Sequence, residues 1–217
     1  MAQVAQRAGR TQLDRGAERL DDPELPFPIR TSKLRPVAPR RGTVRRRALL
    51  DRLQESEAPV IVVIAPAGYG KTTLLSQWVD DEPGRVAWLS GDDGDDDPVV
   101  LCTDIAAALD RLEPLAPGVF AALSAHRPAA ALLPPLLTAF EAPADPVTFI
   151  IDNLDSITNP ECLDLIGELA SRLPEGARLV VSSRAHPPLP LARMRVEGRL
   201  LEIGVPDLAL DVGETYD

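Results

Sequence analysis

Residues 60–72 confine this chain to few architectures. Val60-Ile61-Val62-Val63-Ile64 sets five β-branched residues in a row, with no polar position among them. Such side chains favour extended backbone. An unbroken apolar run marks a strand covered on both faces, as in a parallel sheet. The run passes straight into Ala65-Pro66-Ala67-Gly68-Tyr69-Gly70-Lys71-Thr72, and residues 71–80 read as a helix. Strand, glycine loop and helix in this order match G-x-x-x-x-G-K-[ST], with Ala65 in place of the first glycine. That position chiefly needs a small side chain.

The chemistry such a loop serves is phosphate binding. Small residues let backbone N–H groups turn inward around phosphate oxygens. The helix that follows points its positive end at the same oxygens. Lys71 supplies a charge near the β- and γ-phosphates of a nucleotide, and Thr72 a hydroxyl for Mg²⁺. The candidate binding set is therefore Ala65, Pro66, Ala67, Gly68, Tyr69, Gly70, Lys71, Thr72 and Thr73.

The rest of the chain repeats the alternation. Strands are expected at 85–90, 147–152, 178–184 and 200–203. Helices are expected at 44–54, from Asp97-Pro98 to about Arg111, at 129–141, 160–173 and 191–198. Residues 113–128 read as a Pro/Ala-rich connection, and Pro134-Pro135 must break the following helix or sit at its start. Alternating strands and helices predict an α/β, doubly wound, mostly parallel sheet. Ligands bind such sheets at the C-terminal ends of the strands.

Three residues stand there. Asp152 ends the third strand, where an acid holds Mg²⁺ in folds of this kind. Asn153 follows, where hydrolysing proteins often place a second acid that polarises water. An amide cannot take a proton from water, so hydrolysis is expected to be slow or absent; Asp155 is the next acid. Arg184 follows the fourth strand. If that strand lies between the first and third, Ser183 and Arg184 face the γ-phosphate, and Arg184 can sense it. The candidate catalytic residues are thus Asp152, Asn153 and Arg184, with Thr72 and Asp152 as metal ligands.

Charge excludes some roles. The 217 residues carry a net charge of −10, which argues against coating nucleic acid. Eight basic residues and no acidic one lie between Arg30 and Arg47, either as a solvated arm or as a segment touching an anion. The run Asp92-Asp93-Gly94-Asp95-Asp96-Asp97 fails as a calcium loop, because Val100 stands where a Glu is needed. It reads as a solvated loop in which Asp97 caps a helix. Cys102 and Cys162 fall in apolar helical patterns and read as buried thiols, and His126 and His186 as loop residues. No stretch approaches the roughly 18 apolar residues of a membrane span. With no signal-peptide run at the start, a cytoplasmic location is expected.

Several strings together resemble the ATPase domain of MalT-like regulators of the LuxR family, which are STAND-class P-loop NTPases. They are Thr31-Ser32-Lys33-Leu34-Arg35-Pro36, Pro39-Arg40-Arg41-Gly42, Val44-Arg45-Arg46 and the loop with Leu74-Leu75-Ser76-Gln77-Trp78. Val86-Ala87-Trp88-Leu89-Ser90, Asp97-Pro98, and Val181-Ser182-Ser183-Arg184 with Pro187–Arg193 complete the set. The resemblance covers about residues 31–210. It implies strand order 5-1-4-3-2, Arg184 as γ-phosphate sensor, and Val44 and Arg46 near the adenine. It also implies ATP and ADP with Mg²⁺ as ligands, and self-association in the ATP state. Family members place two acids at the end of the third strand, and Asn153 departs from that.

The expected organisation is a flexible leader at 1–29, with some helix around 4–20, and a basic segment with a short helix at 30–58. A P-loop NTPase core follows at 59–210, and a truncated tail at 211–217. No recognition helix is visible, so no direct DNA contact is expected from this chain. It reads as a fragment, a truncated product or a stand-alone module. A nucleotide-dependent switch is the leading reading. A P-loop phosphotransferase acting on a small molecule is the alternative, and a degenerate domain without nucleotide the third.

Overall fold

The computed structural model describes residues 29–38, 42–81, 86–124 and 128–209. The expected leader, His126 and the tail therefore lie outside the described residues. Five strands form one sheet: β1 (Val60–Ile64), β2 (Val86–Ser90), β3 (Thr148–Asp152), β4 (Arg178–Ser183) and β5 (Leu200–Ile203). Their order is β2-β3-β4-β1-β5, the expected 5-1-4-3-2, and every neighbouring pair is parallel. This is the α/β architecture expected, with β1 between β4 and β5 and β4 between β1 and β3.

The period of two along each strand divides the core into two layers. Ile61, Val63, Trp88, Ile150, Val180 and Ile203 pack with Leu49, Leu50 and Leu53 of α1 (Arg47–Glu55). Leu74, Leu75 and Trp78 of α2 (Lys71–Asp81) and Leu208 of α8 (Val205–Leu208) join the same layer. On the opposite face, Val60, Val62, Phe149, Ile151, Leu179 and Val181 meet the other helices. These are α3 (Pro98–Asp110), α4 (Pro117–Ser124), α5 (Leu133–Glu141), α6 (Pro160–Ser171) and α7 (Leu191–Val196). The first four residues of the β1 run, Val60 to Val63, have no exposed surface, as expected of a strand with helices on both sides.

Three local expectations need correction. The first helix begins at Arg47, not Val44: residues 43–46 run outside the helix, where backbone groups of Val44 and Arg46 bond to a side chain of α2. Residues 113–128 are not a plain connection, since α4 begins at Pro117 and buries Val119 and Leu123. Proline is compatible with a first helical turn, and the apolar VFAAL run supplies a face. The acidic run is not simply a solvated loop. Asp95 is fully buried, and Asp92 and Asp95 form a capping box around a 3-10 turn at Asp93–Asp96. Asp97 does cap α3, accepting from the amides of Val99 and Val100. Pro134-Pro135 sits in the first turn of α5, not in its middle.

Candidate functional site

Between β1 and α2 the backbone turns twice through the left-handed region, at Gly68 (φ +87°) and Gly70 (φ +82°). A Cβ at either would meet open space, so glycine is required by the backbone angle and not by crowding. Ala65 has the small side chain its site needs: it is buried, and its amide bonds to the Ser183 carbonyl of β4 at 3.2 Å. Lys71 folds back over the loop, donating to the carbonyls of Ala65 (2.6 Å) and Pro66 (3.2 Å). Burial holds its ammonium below the usual lysine range, against the weaker pull of Asp155 and Asp152.

The end of β3 faces the start of α2. Ile150 belongs to the α2 layer, so Asp152, two residues on, faces the same way. Its Oδ2 accepts from Thr72 Oγ1 at 2.7 Å, although the two residues lie 80 positions apart. Ser182 Oγ donates to Oδ1 of the same carboxylate. Asp152 is 1% exposed. A carboxylate and a hydroxyl meeting at a helix N-terminus are an all-oxygen donor pair of the kind Mg²⁺ takes. Among the described residues no cluster of three or more His, Cys, Asp or Glu side chains is placed to hold a metal. Two protein ligands with the remainder from water and phosphate is the usual Mg²⁺ arrangement.

Asn153 takes a left-handed conformation (φ +59°), and its amide bonds to Ser182 Oγ at 3.0 Å. Arg184 stands on the loop after β4, with its guanidinium Nε 3.0 Å from Asp155 Oδ2. The Asp155 carboxylate also accepts the Arg184 amide at 2.9 Å. A 300 Å³ cavity is lined by Gly68, Lys71, Thr72, Thr73, Asn153 and Arg184, which brings the glycine loop together with two of the three catalytic candidates; Asp152 does not line it and reaches the loop through Thr72.

A second cavity of 450 Å³ lies on the other side of the loop. Thr43, Val44, Arg46, Tyr69, Leu74 and Leu208 line it, and it shares Ala67, Gly68, Gly70 and Thr73 with the first. Arg46 builds its wall. The guanidinium donates to the carbonyls of Leu208 (2.7 Å), Asp207 (2.8 Å) and Ala209 (3.2 Å), at the end of α8. Gln77, which the sequence reading passed over, clamps this strip by accepting from the Arg46 amide (3.3 Å) and donating to the Val44 carbonyl (3.0 Å). The available signal was a glutamine on the apolar face of α2, where it is 5% exposed.

With this geometry in view, the sequence relatives are informative. The HTH-type transcriptional regulator MalT of Vibrio parahaemolyticus is 33% identical over 171 residues, which are 77% of this chain and 19% of the regulator. MalT of Cronobacter sakazakii is 34% identical over 182 residues, 82% of this chain and 20% of the regulator. The chain is homologous to the MalT regulators. It spans about a fifth of the length of the MalT proteins it matches. The MalT homology covers about four fifths of the chain. No family model matches. Among solved structures, Drosophila ORC bound to AT-rich DNA and Cdc6 has a TM-score of 0.49 at 15% identity, covering 79% of this chain and 58% of that one. That likeness is too loose to carry an argument. No helix among the described residues is long and apolar enough to cross a membrane.

Proposed function

We propose that this domain binds ATP and ADP with Mg²⁺ and acts as the nucleotide-dependent switch of a MalT-like regulator, with slow or no hydrolysis. One observation carries the reading. Thr72 and Asp152 meet through a 2.7 Å hydrogen bond beside the cavity that Lys71 and Arg184 line. The neighbouring cavity, across the same loop, is of a size and polarity to take a nucleoside. A nucleotide laid across the loop sets its base against Val44 and Leu208 and its phosphates at the amides of residues 67–72 and the start of α2. Lys71, released from its carbonyls, is within reach of the β- and γ-phosphates, and Arg184 of the terminal one. Thr72 and Asp152 would hold Mg²⁺, which would supply positive charge to offset that of the phosphates.

Asn153 is the reason turnover is expected to be slow. Its amide side chain borders the phosphate cavity but cannot accept a proton from water. The next acid along the chain, Asp155, is already paired with Arg184. ATP-dependent self-association belongs to this reading, and DNA contact from these residues does not.

A titration of the purified chain with ATP and ADP, with and without Mg²⁺, tests the proposal. Lys71→Ala is expected to weaken ATP binding by about 100-fold or more, because charge-assisted bonds to phosphate are lost. Unchanged affinity would overturn the loop assignment. Asn153→Asp is expected to raise turnover, and a flat rate would remove this position from water activation.

A further inference from the structure

The geometry points to Ser182 as the positioning residue that sets the Asp152 carboxylate for a divalent cation. The inference rests on the nucleotide reading above and extends it to a residue that does not line the cavity.

Ser182 lies in β4, the strand between β1 and β3. It pairs with Val63 of β1 and lies one residue past the Ile151–Val181 pair with β3. Val180, two residues before it, packs in the α2 layer, so Ser182 faces α2 alongside Asp152. It has no exposed surface. A hydroxyl buried in the middle of a sheet costs stability unless both its capacities are used, and here both go to the end of β3. The hydroxyl hydrogen is donated to Asp152 Oδ1, and the oxygen accepts the Asn153 amide at 3.0 Å.

That arrangement has a directional consequence. With Oδ1 held by Ser182, Oδ2 is the oxygen left toward Thr72, and Thr72 is the residue it meets. The second bond holds the peptide after Asp152 while Asn153 turns left-handed. Ser182 therefore fixes both the rotation of the carboxylate and the exit of the chain from β3. An aliphatic residue there would fill the space and continue the Leu179-Val180-Val181 pattern, yet leave a buried carboxylate oxygen and a backbone amide without partners.

Outer hydrogen bonds of this kind typically change metal affinity by about 10–100-fold when removed. The test compares a fluorescent ATP analogue bound with Mg²⁺ and with EDTA, in the wild-type chain, Ser182→Ala and Ser182→Thr. The expected result is that Ser182→Ala loses about tenfold or more of the gain in affinity that Mg²⁺ confers. Its affinity in EDTA stays at the wild-type level, and Ser182→Thr, which keeps the hydroxyl, retains the gain. A purely structural role would lower both affinities together and overturn the inference, as would an undiminished Mg²⁺ gain in Ser182→Ala. If Ser182→Ala does not fold, Ser182→Cys, close in volume but a weak donor, is read the same way. A wild-type chain that binds no nucleotide in either buffer would instead overturn the nucleotide reading, and this inference with it.

Discussion

Two lysines, Lys33 and Lys71, are buried to the same degree, each 7% exposed, and their surroundings are opposite. Lys33 Nζ sits 2.8 Å from both oxygens of Asp95, 3.1 Å from Asp104 and 3.2 Å from Asp92. Burial alone would lower its pKa, but hydrogen bonding and charge from Asp95, then Asp104, hold it above the usual range. Lys71 rests on two carbonyl dipoles, and burial prevails. The first charge is closed on itself and ties the segment at Thr31–Leu34 to the loop after β2 and to α3. The second keeps unspent charge beside a cavity. A buried charge bonded to carboxylates is an element of architecture; one bonded only to carbonyl dipoles is open to a ligand.

The comparison is broken most directly at Lys33. Lys33→Met should cost about 3–5 kcal/mol of folding stability, because Asp95 and Asp104 are left buried without a cation. Urea unfolding measures it. The same experiment on Lys71→Ala should show a change below about 1 kcal/mol while nucleotide binding is lost. Equal destabilisation by the two variants would erase the distinction. A smaller effect is expected at Asp96, whose carboxylate accepts the amides of Thr158 (2.6 Å) and Asn159 (2.9 Å) and the Thr158 hydroxyl (2.8 Å). Those bonds, the Asn159 amide first, hold its pKa below the usual carboxylate range. Its contribution is therefore present above about pH 4 and lost as pH falls through the lowered value. Asp96→Ala should cost about 0.5–1.5 kcal/mol at neutral pH, because these bonds are largely open to solvent, with the difference from wild type shrinking in acid.

How far each cluster could be read from sequence follows the same division. The glycine loop is local: strand, loop and helix occupy consecutive residues, and each turn has its own residue signature at Gly68 and Gly70. The strands are local too, since an apolar run such as Val60–Ile64 reports its own burial. The Lys33 cluster is not local. Its partners Asp92, Asp95 and Asp104 all lie more than fifty residues away in sequence, so Lys33 reads as one member of a basic run and Asp95 as one of a solvated acidic run. Only the fold reveals that the two runs meet. Ser182 was hidden differently, because one serine in an apolar strand has no periodicity to give it away, and its role depends on the register of β4 against β3. Helix α4 was missed for its short length, with a glycine at its second position. The two thiols, by contrast, were legible from the apolar faces around them: Cys102 and Cys162 are buried, and burial pushes both pKa values up to about 12.

The finest test of the closed cluster lies in its charge balance. Lys33 faces two buried carboxylates, Asp95 and Asp104, and a more exposed third, Asp92, which also pairs with Arg30, so the buried part of the cluster carries an excess of negative charge. Burial, against the opposing pull of Lys33, pushes the Asp104 carboxyl up to about 6, and the neighbouring Asp95 adds to the rise. A raised carboxyl pKa means that the folded chain binds the proton more tightly than the unfolded one. Its contribution to stability therefore falls as pH rises from about 4 to about 6. An asparagine is shaped like the protonated acid, with an oxygen to offer Lys33 and an N–H₂ to offer Asp95. Asp104→Asn should therefore approach the wild type only below about pH 4 and exceed it at pH 7–8 by on the order of 1 kcal/mol or more. Unfolding free energies across about pH 3–8 measure the difference. A variant less stable than the wild type at pH 8 would show that Asp104 is held ionised as a full partner of Lys33, and that the cluster tolerates two buried carboxylates on one buried ammonium.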